Sequence, residues 1–188
     1  MIDQGVGAKA AVAVMAIAAV AASLAVSPDL RGGAGAGLAL LMLAIAVVDA
    51  RHFLIPNALS YSAIALGLVD AGLEQPYDLP QALGIALLRG AVLAGLFFGL
   101  RALYGRLRGR EGLGLGDVKL AGAAGVWLDW WAMPIAIEIG ALAALALYVA
   151  GHVLGRRRIH ATMRLPFGLF LAPAIWIAWL LQARLGMS

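Results

Sequence analysis

Asp49 and Asp117 are the residues on which chemistry could rest. Asp49 lies in AVVDARHFLIPN and Asp117 in GLGLGDVKLAG, each where a long apolar run meets a basic stretch. An ionisable group in or beside a membrane span is costly to keep, so function is its default reading. Two carboxylates sharing one proton are the least equipment that can activate water against a peptide bond. Like charges held close cannot both ionise cheaply, so such a pair titrates in two split steps. Taken singly, each acid also has a structural reading. Asp117 could be an N-cap that starts a helix, and Asp49 a helix-end acid paired with Arg51.

The chain around them is built for lipid. Of its 188 residues, 63% are hydrophobic and 13% charged, and the mean hydropathy is +0.94. A soluble domain of this size could not cover that much apolar surface. The expected class is an all-α polytopic membrane bundle, residues 1–188 forming one integral membrane domain. Continuous rather than alternating apolar runs favour helices over a barrel. There is no cysteine, which excludes disulfides, thiol catalysis and cysteine-based zinc sites. The net charge of +4 sits in short loops between apolar segments, a topology signal rather than a nucleic-acid footprint. The first apolar run lacks a strongly basic start and a cleavage site, and reads as a retained span.

A span needs roughly 20 helical residues. Seven candidates emerge within a range of six to eight: 8–26, 34–50, 57–73, 82–104, 117–131, 133–155 and 166–183. The fifth is short and rich in Gly and Ala, and so tilted or incomplete. Arg101, Arg106, Arg108 and Arg110, and again Arg156, Arg157, Arg158 and Arg164, mark two cytoplasmic loops. Asp70, Glu74 and Asp78 mark an outer connection, and Asp29 offsets Arg31. The N-terminus is then inside and the C-terminus outside. Trp127, Trp130 and Trp131 form an outer interfacial belt, with Trp176 and Trp179 toward the outer end of the last helix.

Asp49 then ends the second span and Asp117 begins the fifth, both at the cytoplasmic side. The distribution of basic residues does not by itself require that coincidence. The glycines of Gly114-Leu115-Gly116-Asp117 let the backbone bend and approach a substrate, and the helix N-terminus favours an ionised carboxylate. Pro56 cannot continue a helix from behind, and Asn57 is expected to cap the third helix. Gly32, Gly33, Gly35 and Gly37 suit close helix contact. Lys119 either meets the substrate or snorkels to the surface. Arg89 and Glu138, the other intramembrane charges, are expected to pair. His52, His152 and His160 show no metal-ligand spacing, so neither metal nor cofactor is expected.

With these blocks in place, the chain resembles the type IV prepilin peptidases, GxGD aspartic membrane proteases. The resemblance rests on Asp49 with Ile55-Pro56-Asn57, on Gly114-x-Gly116-Asp117-x-Lys119-Leu120 continuing to Trp127-Leu128, and on Leu165-Pro166-Phe167-Gly168-Leu169-Phe170-Leu171-Ala172. It implies that Asp49 and Asp117 are the catalytic pair, with Gly114, Gly116, Lys119, Pro56, Asn57, Pro166 and Gly168 shaping the site. It implies a prepilin or pseudopilin as substrate, cut of its basic leader at the cytoplasmic face of a bacterial inner membrane. Larger members carry a cytoplasmic domain with paired CxxC zinc motifs and also methylate the new N-terminus. Without cysteine, this chain resembles the short peptidase-only form. The presenilin-like GxGD class fits less well: Val48 rather than Tyr precedes Asp49, and the later segment reads Ala172-Pro173-Ala174. Two other classes remain, a small proton- or ion-coupled transporter and a noncatalytic secretion-system scaffold.

Overall fold

The computed structural model describes residues 3–109, 113–153 and 166–186, apart from the side chains of 3–6 and 152. Arg110, the arginines of 156–164, His160 and Leu165 lie outside the described residues, as does the side chain of His152. The described residues form seven helices and no strand: α1 (Asp3–Val26), α2 (Leu30–His52), α3 (Asn57–Glu74), α4 (Leu79–Arg108), α5 (Leu115–Trp127), α6 (Ala132–Val153) and α7 (Phe167–Leu185). Five of them, α1, α2, α4, α6 and α7, are long and apolar enough to cross a membrane. The protein is a multi-pass membrane helix bundle.

Local chemistry sets the helix ends. Asp29 starts α2, its carboxylate accepting from the Gly32 N–H at 3.1 Å and from the Ser27 hydroxyl at 2.8 Å. The Ser27 bond holds that carboxyl below its ordinary range. Asp78 caps α4 in the same way through the Gln81 N–H. Gly109 and Gly186 close α4 and α7 in the left-handed conformation. The sequence places Asn57 as the cap of α3, but Pro56 holds that position with extended geometry and no side-chain cap. Asn57 is already inside the helix, and its amide is free to serve elsewhere.

α5 is the centre of the bundle. At 13 residues it is about 20 Å long, and it stops at Trp127 rather than running on to 131. From Leu120 to Trp127 every residue is buried. α3, α4 and α7 pack around it. A Cβ on Gly125 would press into the α4 backbone at Arg89 and Gly90, so the Gly/Ala-rich run lets α4 approach closely. Gly35 likewise makes room for the Trp179 ring, and Gly37 for Leu66, whereas Gly33 faces open space.

The tryptophans depart from an interfacial belt. Trp127 is buried, donates its indole N–H to the Ala63 carbonyl at 2.7 Å, and meets Trp179 edge-on with ring centroids 6.2 Å apart. Both are core residues, and Trp127 can be buried because its indole N–H finds an acceptor. Trp130 remains exposed. Trp176 reaches α1 through the Ser23 hydroxyl.

The intramembrane charges are also arranged differently from expectation. Arg89 pairs with Asp129, in the turn between α5 and α6, and not with Glu138. Glu138 is exposed on α6, which packs chiefly on α7 and so does not bring it to α4. Gln182 of α7 accepts from the Asp129 N–H at 2.9 Å. Arg31 pairs with Asp70 at 3.5 Å and Glu74 at 3.0 Å, while Asp29 is taken up by its capping role. These groups gather at the end of the bundle where α2 and α4 begin and α3, α5 and α7 end. A cavity of about 40 Å³ opens among Glu74, Gln75, Arg89 and Asp129, room for a few waters at most.

The Arg89–Asp129 pair supplies a test. Arg89→Ala should cost about 3–5 kcal/mol, because it strands a shielded carboxylate. In a double-mutant cycle read by thermal melting in detergent, Arg89→Ala should couple to Asp129→Ala by more than about 1 kcal/mol. Its coupling to Glu138→Ala should lie within about 0.5 kcal/mol of zero.

Candidate functional site

The opposite end of the bundle collects the C-terminus of α2 and the N-termini of α3, α5 and α7. Asp49 sits in the last turn of α2 and is buried. Its Oδ2 accepts from the Leu169 N–H at 3.0 Å, at the third position of α7. The residue that starts α7 is Pro166, which offers no capping side chain. Asp49 supplies from another helix the acceptor that α7 lacks. It does not pair with Arg51, which is exposed.

Asp117 holds the equivalent place on α5. It is the third helical residue rather than the N-cap, and its Oδ2 accepts from the Gly114 N–H at 3.0 Å. Gly114 opens the helix with extended backbone, so Asp117 reaches back across one turn, as the acid of a capping box does. Each carboxyl is thus held through Oδ2 by a backbone N–H at a helix N-terminus.

α2 and α5 do not pack closely on each other; α3 and α7 bridge them. The bridge runs through the α2–α3 link, residues 53–56. Phe53 ends α2 with φ 53°, a left-handed conformation that is an outlier for a bulky residue. Its N–H closes on the Asp49 carbonyl at 2.9 Å. The turn leaves Phe53 and Leu54 exposed and sends Ile55 inward, 6% exposed. A Cβ on Gly116 would lie 2.9 Å from Ile55 Cβ. One on Gly168 would lie 2.8 Å from Ile55 Cδ1 and 2.9 Å from Asp49 Oδ2. Both glycines are therefore positions of close approach, and Ile55 fills the space between them. Beside it, Lys119 donates to the Asn57 side-chain oxygen at 2.6 Å, tying α5 to α3. Arg101 of α4 donates to the Leu113 carbonyl at 3.0 Å and fixes the approach to Gly114.

The structure thus gathers Asp49, Pro56, Asn57, Gly114, Gly116, Asp117, Lys119, Pro166 and Gly168 at one end. Three participants were not singled out from sequence: Ile55 as filler, the Leu169 N–H as partner of Asp49, and Arg101. A helix opening on proline with no capping side chain was the available signal for the second. No group of three or more potential metal ligands occurs among the described residues.

Two substitutions test this geometry without reference to any activity. Asp49→Ala should lower thermal stability by about 1 kcal/mol through the lost cap, whereas Asp49→Asn, which keeps an acceptor, should lose less than half of that. Gly168→Ala should destabilise by about 1–3 kcal/mol through overpacking.

Comparison with known proteins bears on the same elements. Residues 36–149 match the model of the type IV leader peptidase family, a stretch that includes both aspartates. The chain is 35% identical over 133 residues to a prepilin leader peptidase/N-methyltransferase of Aeromonas salmonicida, covering 71% of this chain and 44% of that protein. It is 35% identical over 126 residues to leader peptidase HopD of Escherichia coli, covering 67% and 78%. A prepilin leader peptidase/N-methyltransferase of Escherichia coli K12 is 32% identical over 155 residues, covering 82% and 66%. The chain spans less than half the length of the Aeromonas relative. No solved structure matches it. With over half its length matched by the family model, and with leader peptidase HopD, 35% identical, covered over 78% of its own length, the chain belongs to the type IV leader peptidase family.

Proposed function

We propose that the protein is a membrane aspartic endopeptidase that removes the basic leader of type IV prepilins or pseudopilins at the cytoplasmic face of a bacterial inner membrane. The observation that supports the reading is that Asp49 and Asp117 lie at the same end of the bundle, each with Oδ2 held by a backbone N–H at a helix N-terminus. In the proposed reaction one aspartate is ionised and takes a proton from water. The other is protonated and donates to the scissile carbonyl oxygen as the water attacks. The printed names of the relatives supply the substrate class, prepilins and their leaders. Methyl transfer, the second half of those names, is not carried over.

Charge supports the orientation. Arg51 and His52 close α2, and Arg106 and Arg108 close α4; both ends lie on the aspartate side. On the other side Arg31 and Arg89 are tied up in ion pairs, and Arg184 stands in the last turn of α7. The excess of unpaired base on the aspartate side favours the cytoplasm there, with α1 beginning inside and α7 ending outside. A basic leader would approach the two acids from that face, its apolar helix remaining in the bilayer.

The capping role of Asp49 makes a purely structural reading worth separating. Co-expressed with a prepilin, the wild-type chain should produce a leader-sized mobility shift. Asp49→Asn and Asp117→Asn should each reduce cleavage at least a hundredfold while still inserting and melting close to wild type. Normal cleavage by either folded variant would reduce the pair to scaffolding.

A further inference from the structure

One side chain lies against both the acid-bearing start of α5 and the start of α7 that Asp49 caps. Ile55 abuts Gly116, the residue before Asp117, and Gly168, whose helix start is capped by Asp49. α2 and α5 have no extensive packing of their own that would fix their separation. We propose that Ile55 is a positioning residue that sets the distance between Asp49 and Asp117 by acting as a spacer between the N-termini of α5 and α7. The inference rests on the peptidase reading only for its catalytic consequence.

The link that delivers Ile55 is stiff. It begins at Phe53, whose φ of 53° is a costly conformation retained where the surrounding structure demands it. It ends at Pro56, with φ −64° and ψ 133°, which restricts Ile55 to extended geometry. Ile55 itself is β-branched and restricted at χ1. The Lys119–Asn57 bond then fastens the next helix to α5. A side chain so constrained, in contact with two glycines that have no side chains to yield, transmits its own width to the two helix ends. A shorter residue would let them close, and the carboxylates with them.

The chain contains no cysteine, so the separation can be read directly. Purified Asp49→Cys/Asp117→Cys protein would be treated with bis-thiol reagents of graded span, with Ile55 intact, as Ile55→Val, and as Ile55→Ala. The shortest effective reagent should join at least threefold more of the Ile55→Ala protein than of the Ile55 form, with Ile55→Val between them. Melting and gel filtration select folded protein, and Ile55→Val, which loses a single methylene, covers the case in which Ile55→Ala does not fold. Cross-linking that is unchanged or reduced in the folded variants overturns the proposal.

A second readout links spacing to chemistry. In the chain with both aspartates, Ile55→Val should lower kcat for leader cleavage at least fivefold with KM within twofold. The two limbs of its pH profile should move further apart, because closer carboxylates split more strongly. Loss of folded protein alone would scale the rate without moving the limbs, and limbs that stay in place count against the spacer. If the wild-type chain cleaves no prepilin, the peptidase reading fails, and the cross-linking result still decides the role of Ile55.

Discussion

Everything at the candidate site depends on how two acids are held at the same end of an apolar bundle. Water cannot solvate them freely there, and their mutual repulsion grows as solvent is removed. The fold answers with backbone N–H groups. Asp49 receives one from α7 and Asp117 one from the start of its own helix. Helix N-termini are natural seats for negative charge, because their first N–H groups have no partner within the helix. Each acid is both a structural cap and a candidate for chemistry, so neither role argues against the other.

The far end explains how so short a central helix stays in place. α5 is buried along most of its length and has little lipid-facing surface to anchor it. Its C-terminal turn is held by Arg89 from α4 and Gln182 from α7 through Asp129, and Trp127 is held by the Ala63 carbonyl. The Arg31 pairs join α2 to the end of α3. With that end fixed by directional polar contacts, the N-terminus of α5 can present Asp117 through a glycine-rich turn with few side chains of its own. Rigidity at one end permits close, sparsely furnished geometry at the other.

Much of this was legible from sequence, for identifiable reasons. Seven helices follow from the apolar runs, and the common end of Asp49 and Asp117 follows from counting spans between them. The partner of Arg89 was not legible. Hydropathy places Arg89 and Glu138 at similar depth but says nothing of which helices touch, and it was a loop acid that crossed to α4. Trp127 reads as interfacial by residue type, and only the Ala63 carbonyl shows how its indole is satisfied in the core. Asn57 looks like a cap until Pro56 takes that position, after which its amide can accept from Lys119. Ile55 stood within a recognised motif, yet an isoleucine carries no chemical signal. Its importance comes from the two glycines it touches, which are distant in sequence.

The most direct measurement of the central claim is the pH dependence of kcat/KM for leader cleavage by the purified protein in nanodiscs. A pair in which one carboxylate must be ionised and the other protonated predicts a bell with one acidic and one more basic limb. A profile with a single limb, or one that stays flat across the range in which carboxyl groups titrate, would contradict a shared-proton pair.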